Sequence, residues 1–238
     1  MIAMLASAAV AFSLVIVATP VAIRMLRRRS VGQFIQEELE GHMHKRGTPT
    51  MGGVVMIVGV VLGWFVAHID ARTPEGEWRL GFRDFELPGL LVLLAFVGMG
   101  VIGFLDDLSK VRREHNLGLS KRWKFAGQMV IAGLFYWGAT SFGISTDLAF
   151  TRPLGFDLNG FYVVLVLLML TGTANAVNIT DGLDGLVAGS SALVYGSFVI
   201  ISFWQFRHPE FYANPGALEL AIMSAALTGA GPFQMKWE

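Results

Sequence analysis

The sequence predicts an all-α, polytopic membrane protein, a bundle of transmembrane helices. Three observations carry this. The chain of 238 residues is 54% hydrophobic and only 15% charged, with a mean hydropathy of +0.57, too apolar for a soluble domain of this length. Apolar runs recur, most of them close to the roughly 20 residues a helix needs to cross a hydrocarbon core. Basic residues gather in alternate connections between those runs.

The runs fall at 3–26, 51–69, 88–105, 124–143, 160–177 and 184–205, with a seventh, weaker run at about 217–231. Each is expected to be helical, because backbone amides in hydrocarbon have to pair within their own segment. The first run has no basic residue before it and a basic group just after it, Arg24 and Arg27 to Arg29. That polarity reads as an uncleaved anchor with its N-terminus outside, not as a signal peptide. Pro20 is expected to kink it. Gly59-x-x-x-Gly63 and Gly185-x-x-x-Gly189 have the spacing that lets helices approach closely, though among 28 glycines such spacing arises readily by chance. The Pro-Glu-Gly run at 74–76 reads as an exterior turn.

Lys and Arg number six in residues 24–50 and six in 106–124, against three in 70–87 and one each in 144–159 and 206–216. The first two connections are therefore expected to be cytoplasmic, and by alternation the turn at 178–183 faces the same side. Net charge is zero, which gives no reason to expect a nucleic-acid partner. The basic face suits anionic lipid headgroups or phosphates, or serves only as a topology signal. With no cysteine, disulfides, thiolate metal sites and cysteine nucleophiles are excluded. There is no obvious repeat and no separate soluble domain, so residues 1–238 read as one integral membrane domain.

Two acidic clusters stand where apolar runs end. In Gly103-Phe-Leu-Asp-Asp-Leu-Ser-Lys110, a helix continued by one turn places Lys110 at i+4 from Asp106 and i+3 from Asp107. Adjacent carboxylates near low dielectric call for a cation or basic neighbours, and magnesium prefers such oxygens together with substrate phosphates. The plainer alternative is a helix end emerging into water. In Asn175-Ala-Val-Asn-Ile-Thr-Asp-Gly-Leu-Asp-Gly185, Asn178, Asp181 and Asp184 recur every three residues and present a polar stripe. Gly182 and Gly185 expose backbone to a close ligand, and amide side chains can read a base or sugar edge. A polar re-entrant turn is the alternative.

The connection at 30–50 holds His42, His44, Lys45 and Arg46, then Gly47-Thr-Pro-Thr-Met-Gly-Gly53, a stretch equally suited to a helix-entry turn and to a phosphate loop. The two histidines, two residues apart on a solvated loop, are not read as ligands. Lys121, Arg122 and Lys124 suit diphosphate charge or topology signalling. Taken together the groups suit phosphoryl transfer with a lipid as one substrate. A transporter using intramembrane acids is the reading from another class. It predicts ion-gradient-dependent flux without nucleotide dependence.

His44-Lys-Arg-Gly-Thr-Pro-Thr-Met-Gly-Gly53, Phe104-Leu-Asp-Asp-Leu-Ser-Lys110 and Asn175 to Leu186 resemble, in order, the motifs of the bacterial phospho-N-acetylmuramoyl-pentapeptide transferases. Those enzymes belong to the wider polyprenyl-phosphate sugar-phosphate transferases. The resemblance implies a multi-pass protein of the bacterial cytoplasmic membrane, its active face cytoplasmic. It implies transfer of phospho-N-acetylmuramoyl-pentapeptide from its UDP carrier to undecaprenyl phosphate, with Mg2+ as cofactor, UMP as by-product, and a homodimer as a candidate assembly. It places Lys45, Gly182 and Asp184 near the uridine, Asn178 and Asp181 in the polar site, and Thr50, Lys110 and Lys124 among the substrate-binding groups. Asp106, Asp107 and Asp181 become the catalytic and metal-ligand candidates, with Asp106 the expected base. A relative with N-acetylglucosamine-phosphate as its donor group is the runner-up, told apart by assaying the two UDP-sugars side by side.

The resemblance also implies about ten spans, of which six or seven stand here, and later aspartate and histidine motifs that this sequence lacks. The expectation is therefore a chain corresponding to the N-terminal two thirds of the family's domain, with residues 232–238 outside the family pattern. Alone, it is expected to be inactive or very weak.

Overall fold

The computed structural model describes residues 1–28, 51–70, 80–113, 118–149, 153–180, 186–211, 214 and 216–231. Every apolar run is a helix: α1 Ile2–Arg28, α2 Gly53–Val66, α3 Leu87–Arg113, α4 Lys121–Ser141, α5 Tyr162–Thr180, α6 Leu186–Arg207 and α7 Ala217–Ala230. Four of them, α1, α3, α5 and α6, are long and apolar enough to cross a membrane. α2 and α7, with 14 residues each, reach only about 21 Å, short of a hydrocarbon core of about 30 Å. The runs read at 51–69 and 217–231 are thus longer than the helices formed on them. α1 continues through Pro20.

Two antiparallel hairpins join helices at one end of the bundle, β1 (Ile69–Asp70) with β2 (Gly81–Phe82) and β3 (Asp147–Ala149) with β4 (Pro153–Asp157). We call this the hairpin end. The other, basic end carries the last turn of α1, the starts of α2, α4 and α6, and the last turns of α3 and α5.

Glycine lets the helices meet. α1 and α2 run antiparallel, and a Cβ built on Gly63 would stand 2.6 Å from the Ser7 carbonyl oxygen, while one on Gly59 would stand 2.6 Å from Val15 Cγ2. α3 and α4 mesh through Gly98 against Ile131 and Gly138 against Leu91. α7 sits at the centre, packed on α1, α2, α3 and α6, and its alanine-rich surface is buried almost all round. Ser7 Oγ donates to the Ile222 carbonyl at 3.1 Å, tying α1 to α7. α5 packs on α4 and touches α6 only lightly.

At the hairpin end a polar cluster is buried inside this core. Trp64 Nε1–H donates to Glu219 Oε1 at 2.6 Å, and His68 is fully buried with Nδ1 2.9 Å from the Trp64 carbonyl and Nε2 3.2 Å from Glu219 Oε2. Both ring nitrogens of His68 are thus engaged, Nδ1 by a carbonyl and Nε2 by a carboxyl group. Phe85 stacks on Trp64 with ring centroids 4.6 Å apart and closes the cluster.

Candidate active site

α3 stays helical well past Leu105, so Asp106, Asp107 and Lys110 share one face as their spacing requires. Lys110 Nζ lies 2.9 Å from Asp106 Oδ2 and 3.1 Å from Asp107 Oδ1. The chain then returns through Gly118 and Leu119 and enters α4 from Ser120, whose extended backbone caps the helix. That return brings Lys124 Nζ to 2.9 Å from Asp106 Oδ1, and the Leu119 backbone N–H donates to the same oxygen at 2.7 Å. Asp106 is buried, and three charge-assisted hydrogen bonds occupy three of its roughly four lone-pair sites. Gly118 is pressed against this carboxylate so closely that an added Cβ would overlap it.

Asp107 is more open. It lines, with Asp106 and Lys110, a cleft of about 320 Å³ whose other wall is Met51, Gly53, Val54 and Ile57 at the start of α2. The structure therefore brings the end of the Gly-Thr-Pro-Thr-Met-Gly-Gly segment onto the acidic cluster. Met51 holds a φ of 73°, a left-handed conformation rare for a residue with a side chain. Its carbonyl accepts from the Val54 N–H at 3.2 Å, starting α2.

Lys45 and Thr50 lie outside the described residues, as do Asp181, Gly182 and Asp184. Asn178 is in the last turn of α5, with its side chain outside the described set. α5 ends at Thr180, whose Oγ1 donates to the Ala176 carbonyl at 2.8 Å. Below it a cleft of about 440 Å³ separates α5 from α6, and Thr173, Thr180, Ser190 and Ser191 give it a partly polar wall.

Among the described residues no three His, Asp or Glu side chains converge as a metal-ligand group. The donor chemistry nonetheless fits magnesium. Asp107 contributes a carboxylate to the cleft, and only one of its oxygens is engaged, by Lys110, among the described residues. A hard cation taking few protein oxygens and completing its shell with phosphates and water matches such a site.

Sequence reasoning missed Gly118 and Leu119, which the fold places on Asp106, and the Trp64–His68–Glu219 cluster. Glu219 carries a readable signal, being the sole acid of the run at 217–231. Gly118 carries none.

The fold and site are those of a helical membrane protein with paired aspartates and lysines at a helix end. Residues 89–234 match the model of glycosyl transferase family 4, and the chain belongs to that family. Residues 45–57 match signature 1 of the phospho-N-acetylmuramoyl-pentapeptide-transferases, and proteins of that name are its relatives. The one from Beutenbergia cavernae is 41% identical over 97% of this chain and 68% of its own length. Those from Frankia alni and Shouchella clausii are 41% and 40% identical, over 95% and 92% of this chain and 66% and 62% of their own lengths. The chain thus spans about two thirds of the length of the relatives it matches. Its apolar helices and bacterial relatives make it a bacterial membrane protein.

Proposed function

We propose that this protein takes part in the transfer for which its relatives are named, moving phospho-N-acetylmuramoyl-pentapeptide from a UDP carrier to undecaprenyl phosphate and releasing UMP. The observation that supports this best is the cleft in which the start of α2, inside the signature at 45–57, faces Asp107 and Lys110. In this reading the base is Asp107, with the freer carboxylate, in place of the expected Asp106, whose oxygens are held by Lys110, Lys124 and Leu119; Asp107 meets the reacting phosphate and accepts its proton. Asp106 holds Lys110 and Lys124 where their ammonium groups stabilise phosphate charge. Magnesium, when bound, supplies neutralisation of the diphosphate. Lys45, Thr50, Asn178, Asp181, Gly182 and Asp184 keep the substrate and polar-site roles implied by the resemblance. The basic end is assigned to the cytoplasm from the Lys and Arg count, and a homodimer is the proposed assembly.

UMP release from UDP-N-acetylmuramoyl-pentapeptide, in liposomes containing undecaprenyl phosphate, tests the proposal. The 238-residue chain alone is expected to release little or no UMP; in a chain extended with the remaining third of a relative, release is expected to require Mg2+ and to fall about a hundredfold or more in Asp107→Asn, the range for loss of a positioned base. Equal, measurable rates in the extended parent and its variant, or preferential turnover of UDP-N-acetylglucosamine, would overturn it.

A further inference from the structure

At the hairpin end, away from Asp106, a cleft of about 460 Å³ lies between the first turns of α1 and the last turns of α6. Met4, Leu5, Val199, Ile200, Phe203 and Trp204 wall it, and Arg207 and His208 stand at its rim. Leu5 is 63% exposed and Ile200 71%, so the cleft opens sideways on the outer surface of the bundle, where acyl chains surround a membrane protein. His208 is already engaged. Its Nδ1 lies 3.0 Å from Glu210 Oε1 and its ring is 4.2 Å from that of Trp204. Arg207, the last residue of α6, has no hydrogen-bond or ion-pair partner among the described residues.

We propose that this cleft binds one anionic phospholipid, with an acyl chain along the apolar wall and the phosphate on Arg207. The argument rests on charge and level. α6 rises about 1.5 Å per residue, so Ile200 lies about 10 Å below Arg207, a spacing that sets the guanidinium at headgroup height when Ile200 is among the acyl chains. Trp204 between them has the amphipathic ring that favours the membrane interface. Apolar contact gives no preference among lipids, because lipid tails are as apolar as the cleft itself. Selectivity therefore sits at the rim. A planar guanidinium matches a phosphate in two-pronged fashion, and the nearby acid, Glu210, is engaged with His208 and not with Arg207. One cation near a membrane surface favours an anionic lipid by about fivefold. This site is independent of the proposed transfer reaction.

The absence of cysteine makes a local reporter practical. A fluorophore is attached at Ile200→Cys and, as reference, at Val130→Cys on α4, which is 61% exposed. Each protein is placed in phosphatidylcholine nanodiscs containing increasing brominated phosphatidylglycerol. The reporter at 200 is expected to be half-quenched at about one fifth of the mole fraction needed at 130. Arg207→Ala should bring the two curves together, and Arg207→Lys should keep most of the separation. Brominated phosphatidylcholine should quench both positions alike. Coincident curves in the parent chain would overturn the proposal. So would a reporter at 200 that neither lipid quenches, the result expected if a second copy of the chain covers the cleft.

Discussion

Gly118 shows how much of the site depends on one missing Cβ. Its backbone lies so near the Asp106 carboxylate that Gly118→Ala must displace either the return loop or a side chain held by Lys110, Lys124 and Leu119. Overpacking of this kind costs about 1–3 kcal/mol, expected as a lower melting temperature in detergent. An unchanged melting temperature would show that the loop yields freely. At the hairpin end, His68→Leu strips Glu219 of one partner and is expected to destabilise the fold by about 3–5 kcal/mol. The double variant His68→Leu/Glu219→Leu should lose less than the sum of the two single changes, because no lone buried charge remains. Strict additivity in thermal unfolding would contradict the pairing. The grouping of Asp106, Asp107 and Lys110 can be read from spacing once a helix is assumed. Lys124 and Gly118 cannot, since their contacts exist only after α4 folds back beside α3.

Among elements, two glycine pairs of identical spacing make an instructive contrast. Gly63 presses on the Ser7 carbonyl, whereas a Cβ on Gly189 would meet nothing within 4 Å. Gly63→Ala is therefore expected to loosen α1 from α2 at a cost of about 1–3 kcal/mol, while Gly189→Ala is neutral or slightly stabilising. Equal effects in a thermal-shift comparison would refute this. Nothing in the two tetrads separates them, because contact depends on which helix lies opposite. The seven apolar runs predict seven helices well, since length and hydropathy are local properties. The strand pairs stay illegible, being built from segments of two to five residues, too short for a periodic pattern. In the second hairpin, the Thr146 hydroxyl and the Asn159 amide hold the Asp157 carboxyl below its ordinary value. A depressed carboxylate stabilises above its unfolded value and loses that contribution as pH falls through the folded one. Acidification should thus loosen this hairpin, and less so in Thr146→Val, measured by amide exchange across 145–159.

For the molecule as a whole, the distribution of Lys and Arg makes a prediction about sidedness. In intact cells an impermeant thiol reagent should label Ser145→Cys, near the second hairpin, and should reach Ser120→Cys at the start of α4 only after permeabilisation. The reverse pattern would invert the assignment of the basic end to the cytoplasm. Charge counts along the chain supply an expectation of sidedness, whereas no local property supplies the packing order, as it depends on contacts between distant segments. The position of α7 shows this best. It is the last described helix to leave the ribosome, yet α1, α2, α3 and α6 all rest on it. α1 must wait in the bilayer with its inner face unfilled while about two hundred further residues are made, and α2 and α3 while more than a hundred are made. An insertase or chaperone that shelters half-assembled helices should matter most in that interval, and a pause in translation just before α7 would lengthen the exposure.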